Sequence, residues 1–99
     1  MKFKNESDFK SSVIDLAKHT GWKWYHNPDS RRSSAGFPDL VLVKPPNVLF
    51  VELKMDNPGS KLTADQLDWQ KKLNDCTDVK ACVITPDSYE FLTITLCQR

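Results

Sequence analysis

The sequence predicts an α/β sandwich, a mixed sheet flanked by helices in the order α-β-β-β-α-β-β. Three observations carry this. Two stretches repeat their apolar residues at helical spacing. Five short stretches are apolar, β-branched or aromatic and are bounded by turn formers. The second helical stretch lies between the third and fourth strands, where a right-handed crossover makes that pair parallel. With 99 residues and 11.4 kDa, the chain reads as a single domain over 1–99.

The elements follow in order. In residues 6–19, Phe9, Val13, Leu16 and Ala17 form a helical stripe that Ile14 broadens, Asn5 or Ser7 caps the start, and Gly21 ends it. Trp22 to His26 is a short aromatic strand. Residues 27–36 are dense in Asn, Pro, Asp, Ser and Gly and form a loop. Asp39 to Val43 and Val48 to Lys54 are the next two strands, joined through Lys44-Pro45-Pro46-Asn47. Residues 56–60 break the chain. Thr63 opens a helix to about Asn74, with Leu67, Gln70 and Leu73 along one side and Trp69 beside them. Val79 to Thr85 is the fourth strand. After a turn at Pro86-Asp87-Ser88, Tyr89 to Leu96 is expected as a fifth, an edge strand with apolar surface to cover.

Composition removes whole classes. Hydrophobic residues are 39% and charged residues 27%, which excludes a disordered chain and a coiled coil. No apolar run approaches the roughly 20 residues of a membrane span, and the N-terminus lacks the apolar core of a secretory signal. Cys76, Cys82 and Cys97 are odd in number and without CxxC spacing, which argues against a disulfide scaffold or zinc ribbon and for a reducing cytoplasm. The net charge of +1 is uninformative, but residues 1–32 carry a net +3 and residues 63–99 a net −2. This asymmetry fits ordinary surface variation, with a phosphate-facing end as the alternative.

The chemistry centres on Gly36-Phe37-Pro38-Asp39-Leu40 and Phe50-Val51-Glu52-Leu53-Lys54. Alternation puts Glu52 and Lys54 on one strand face. If the second and third strands pair as a hairpin, Asp39 meets both at the same sheet edge. Two carboxylates and an ammonium suit Mg²⁺ or Mn²⁺, with the Leu53 carbonyl as a further oxygen ligand and Lys54 orienting or deprotonating water. Each residue alone has a structural alternative, a Glu52–Lys54 ion pair or a turn-forming Asp39. Gln66 sits three residues after Thr63, which fits a capping box as well as it fits a site. Arg31 and Arg32 have guanidinium forks suited to phosphates, with a solvated loop pair as the alternative, and Ser33, Ser34 and Lys61 are candidates for further phosphate contacts. His26 is a candidate phosphate contact or proton donor. Trp22, Trp24 and Trp69 suit base stacking or, as an alternative, a core or subunit interface.

Pro38-Asp39 followed by Glu52-Leu53-Lys54 resembles the PD-(D/E)XK nuclease signature. The Ser-rich loop into Gly-Phe-Pro-Asp-Leu, the Val-Glu-Leu-Lys strand and the Leu-Thr-Ala-Asp-Gln-Leu-x-Trp helix start resemble its VRR-NUC branch, over about residues 6–85. The resemblance implies a restriction-endonuclease-like α-β-β-β-α-β core, here with an added C-terminal strand. It implies a metal-dependent endonuclease acting on DNA, with Asp39 and Glu52 as metal ligands, Lys54 as the catalytic lysine and Gln66 as the helix-two glutamine. Glu6 matches the helix-one acid, which reaches the metal through water. Stand-alone members, typical of phage and bacteria, are similar to Holliday-junction resolvases. The expected activity is thus Mg²⁺- or Mn²⁺-dependent cleavage of branched DNA by a homodimer. A flap or restriction-type nuclease and a non-catalytic DNA-binding module are the alternatives.

Overall fold

A computed structural model describes residues 3–27, 34–57 and 61–98. Helix α1 spans Glu6–His19, and strands β1, β2 and β3 span Lys23–His26, Leu40–Lys44 and Asn47–Leu53. Helix α2 spans Ala64–Asn74, strand β4 Lys80–Ile84, a 3₁₀ turn Pro86–Ser88 and helix α3 Tyr89–Gln98. The four strands form one sheet in the order β1-β2-β3-β4. The β1–β2 and β2–β3 pairs are antiparallel and β3–β4 is parallel, as the crossover through α2 requires.

Helix α1 begins where the Asn5 side chain accepts from the Asp8 N–H at 2.8 Å. It ends at Thr20, whose N–H returns to the Leu16 carbonyl. Gly21 follows at φ +86, a left-handed position that suits a residue without Cβ. Phe9, Val13 and Ala17, four residues apart, are fully buried against the sheet. The core lies between this face and Leu40, Leu42, Leu49, Val51, Leu53 and Ile84.

The expected fifth strand is a helix. Thr85 is extended, and its N–H bonds to the Ser88 Oγ at 2.8 Å, while Pro86 opens the turn. That start chemistry presets helical backbone and overrides the β preference of Thr93-Ile94-Thr95, which depends on a pleated surface to pack against. Leu92 and Leu96, one turn apart, enter the core beside α1, and the Trp22 Nε1–H donates to the Leu96 carbonyl at 3.2 Å. Tyr89 packs in an aromatic trio with Phe3 and Phe9 and donates its hydroxyl to the Ser12 carbonyl. The sheet edges are therefore β1 and β4, not a C-terminal strand. Phe91 and Ile94 lie on the outer face of α3, at 61% and 52% exposure.

Helix α2 covers the opposite face and differs from the expected apolar stripe. Leu67 is 55% exposed, and no residue of the helix is fully buried. Among the described residues, no helix is long and apolar enough to cross a membrane.

The helical C-terminus makes a specific prediction. Leu92→Ala and Leu96→Ala should each cost about 2–5 kcal/mol in denaturant unfolding, from lost burial and the cavities left behind. Ile94→Ala should cost no more than about 0.5 kcal/mol. A strand would alternate, so equal losses at 92, 94 and 96 would contradict the helix.

Candidate active site

Strand register builds the site. Leu40 pairs with Val51 in the β2–β3 hairpin, so Asp39 and Glu52 stand across from each other, one step nearer the sheet end. Leu40 and Val51 turn into the core, and alternation turns the two acids to the α2 face. The Leu53 N–H donates to Asp39 Oδ2 at 2.8 Å, so a side-chain carboxylate continues the hairpin where the backbone ladder stops. The Asp39 carbonyl accepts from the Asn27 N–H at 2.8 Å, tying the end of β1 to the same point.

Glu52 is 3% exposed, the one buried charged side chain among the described residues. Burial, then the charge of Asp39 and a hydrogen bond shared with its carboxyl, pushes the Glu52 carboxyl up to about 8. The Lys54 ammonium pulls it down, and Glu6 adds a smaller upward push. The charges of Asp39, Lys54 and Glu6 are thus all felt at Glu52. Lys54 lies just past β3, its N–H bonded to the Ile84 carbonyl at 3.0 Å. Glu6 arrives from the exposed first turn of α1.

Gln66 caps and contacts at once. Its Oε1 accepts from the Thr63 N–H at 2.9 Å, while the Gln66 N–H donates to Thr63 Oγ1 at 3.1 Å. Its Nε2 donates to Glu52 Oε2 at 3.2 Å. A carboxamide has an acceptor end and a donor end, so the two roles do not compete. Gly36 makes this approach possible. Its φ is +81, and a Cβ there would lie 2.6 Å from the Gln66 backbone nitrogen.

The other candidates divide. Arg31, Arg32 and Ser33 lie outside the described residues. Ser34 is exposed, and its carbonyl accepts from the Phe37 N–H at 3.2 Å. Lys61 is exposed two residues before Thr63. His26 pairs with Leu40, and alternation puts its ring on the α1 side, the opposite sheet face from Asp39 and Glu52. Trp22 is core, and Trp24 lies under the Lys18 ammonium, 5.3 Å from its ring centroid. The sequence reading missed the contacts of Phe37 with Trp69 and Phe50, which join segments far apart in the chain.

Among the described residues, no three His, Cys, Asp or Glu side chains gather as a metal-binding group. Mg²⁺ needs no such group, because one or two carboxylates plus waters and substrate oxygens complete its shell. The adjacent Asp39 and Glu52 carboxyls, with the neighbouring Leu53 carbonyl, fit that requirement.

An α/β fold with a carboxylate pair and a lysine at the end of a hairpin defines a class, and the comparisons place the chain within it. The family model of the VRR-NUC domain matches residues 2–85, so the chain belongs to the VRR-NUC family. It is a nuclease-type, DNA-processing domain. A solved structure described as a VRR_NUC domain protein is 21% identical, with a TM-score of 0.72, covering 95% of this chain and 88% of the other. The likeness confirms the fold. The search of curated proteins found no match.

Glu52 sets a pH dependence. Its folded-state value of about 8 lies above the ordinary 4.5, so the folded state holds a proton that the unfolded chain releases between those values. Stability from this group is full below about pH 4.5 and is lost as pH rises through about 8. Thermal melts of metal-free protein should show Glu52→Gln, which mimics the protonated acid, gaining Tm over wild type at pH 8.5 and little at pH 4.5. Equal differences at both pH values would contradict the buried, proton-holding Glu52.

Proposed function

We propose that this protein is a Mg²⁺- or Mn²⁺-dependent endonuclease that cuts branched DNA, acting as a homodimer on four-way junctions. The observation that carries this reading is the Asp39–Glu52 pair with the Lys54 charge beside it. Crowded carboxylates facing a polyanion disfavour binding unless a cation joins them. Asp39, Glu52 and the Leu53 carbonyl would hold the ion, with Glu6 reaching it through water. When bound, the ion supplies an activated water and charge compensation for the phosphodiester. Lys54 orients that water and offsets the negative charge that builds on the phosphate. Gln66 holds Glu52 in place through its Nε2. Arg31, Arg32, Ser33, Ser34 and Lys61 are the proposed DNA contacts; His26, on the other sheet face, is not among them.

The dimer follows from the substrate. Resolving a junction takes two cuts in strands related by two-fold symmetry, and a C2 dimer presents two sites related the same way. It also doubles the basic surface available for phosphates. Phe91 and Ile94, exposed on α3, offer the apolar surface once expected of an edge strand.

A panel of labelled junction, flap, duplex and single-stranded DNA with Mg²⁺ or Mn²⁺ tests the activity. Asp39→Asn should lower cleavage by about two or more orders of magnitude while junction binding persists, because binding rests on cationic side chains elsewhere. Ca²⁺ should support binding without cutting. Undiminished cleavage in excess EDTA would refute the mechanism, and flap cutting without paired junction cuts would replace the junction substrate with a flap.

Sedimentation should give about twice 11.4 kDa at micromolar concentration. A monomer that makes paired junction cuts would refute the dimer.

A further inference from the structure

Polar side chains hold α2 to the sheet. Gln66 reaches Glu52, Gln70 Nε2 reaches the Cys82 carbonyl at 3.5 Å, and Asn74 bonds both the N–H and the carbonyl of Ala81, at 2.8 and 2.9 Å. These three residues, four apart, form one stripe along the helix. Trp69 lies beside that stripe and makes a different set of contacts. Its Nε1–H donates to the Ala35 carbonyl at 3.1 Å. Its ring meets Phe37 edge-on, with centroids 5.0 Å apart, and Phe37 meets Phe50 edge-on at 6.1 Å.

The positions of these partners matter. Ala35 and Phe37 stand four and two residues before Asp39, and Phe50 stands two residues before Glu52. Gly36, between Ala35 and Phe37, is seated against the backbone of Asp65 and Gln66. One indole is therefore hydrogen-bonded to the segment that delivers Asp39. Through Phe37 it is packed against the strand that bears Glu52. A leucine at this position would fill space but leave the Ala35 carbonyl without this donor.

We propose that Trp69 is a positioning residue: its bond to Ala35 and its edge-on contact with Phe37 set the separation of Asp39 and Glu52, and with it the affinity of the pair for a divalent cation. This rests on the proposed reading that the pair holds Mg²⁺ or Mn²⁺. Trp69 contacts neither carboxylate, so it acts through the segment 35–37 and Phe50. Metal sites tolerate displacements of only about half an ångström in their ligands, which makes such a brace consequential.

The test compares wild type, Trp69→Phe and Asp39→Asn. Mn²⁺ affinity is read from the electron paramagnetic resonance of the free ion, and junction cleavage is followed across Mg²⁺ concentrations. Trp69→Phe keeps an aromatic ring and removes the donor. It should weaken Mn²⁺ binding about fivefold and raise half-saturating Mg²⁺ by a similar factor, with the rate at saturating Mg²⁺ held within about twofold. A lower Tm with unchanged Mn²⁺ affinity would make Trp69 a packing residue only and overturn the proposal. Asp39→Asn separates the two readings. If it loses Mn²⁺ while Trp69→Phe binds normally, only the role of Trp69 falls. If wild type and Asp39→Asn bind Mn²⁺ equally, the cation site falls and the role of Trp69 with it. Should Trp69→Phe fail to fold, Phe37→Leu cuts both ring contacts and keeps the indole donor; the proposal then stands or falls on whether it weakens Mn²⁺ binding.

Discussion

The constraint around which the candidate site is built is the hydrogen-bonded opposition of Asp39 and Glu52 across the end of the β2–β3 hairpin. It is costly by itself. A carboxyl 3% exposed beside a second carboxyl loses hydration and meets like charge. The fold holds it with backbone and helix. The Leu53 N–H fixes Asp39, the Gln66 amide fixes Glu52, and the Asn27 N–H fixes the Asp39 backbone. The core on the far face, built from α1, α3 and the inward residues of the sheet, supplies the stability that such a site consumes.

The two faces of the sheet divide the work. One is a conventional apolar core, with Phe9, Val13, Ala17, Leu92 and Leu96 packed on the strands. The other carries the candidate site under a helix that buries no residue fully and is held by Gln66, Gln70 and Asn74. Directional bonds fix a helix in register and orientation more narrowly than apolar contact does. That suits α2, whose first turn must deliver one amide to one carboxyl.

Much of this was legible in the sequence because it is local. Asp39, Glu52 and Lys54 meet by hairpin register alone, and the α1 stripe ends at a glycine with the expected left-handed backbone. Gln66 was ambiguous because one spacing serves both a capping box and a site, and only the side-chain geometry shows the two ends of the amide in use together. The C-terminal segment was misread because Thr93-Ile94-Thr95 has strong strand character. The competing signals were present in Thr85-Pro86-Asp87-Ser88 and in the helical spacing of Tyr89, Leu92 and Leu96. The Trp69–Phe37–Phe50 contacts join residues distant in sequence, and so does the charge of Glu6 felt at Glu52, so no local pattern announces them.

The central proposal is that Asp39 and Glu52 form a carboxyl pair that holds a divalent cation, which would relieve its crowding. The most direct measurement is the carbon-13 NMR titration of the Glu52 carboxyl with and without Mg²⁺. Without the ion the midpoint should lie near 8, from burial and Asp39. With Mg²⁺ it should fall towards the ordinary carboxylate range, as a cation favours the charged form. A midpoint already ordinary in the metal-free protein, or one that Mg²⁺ leaves unmoved, would contradict the account.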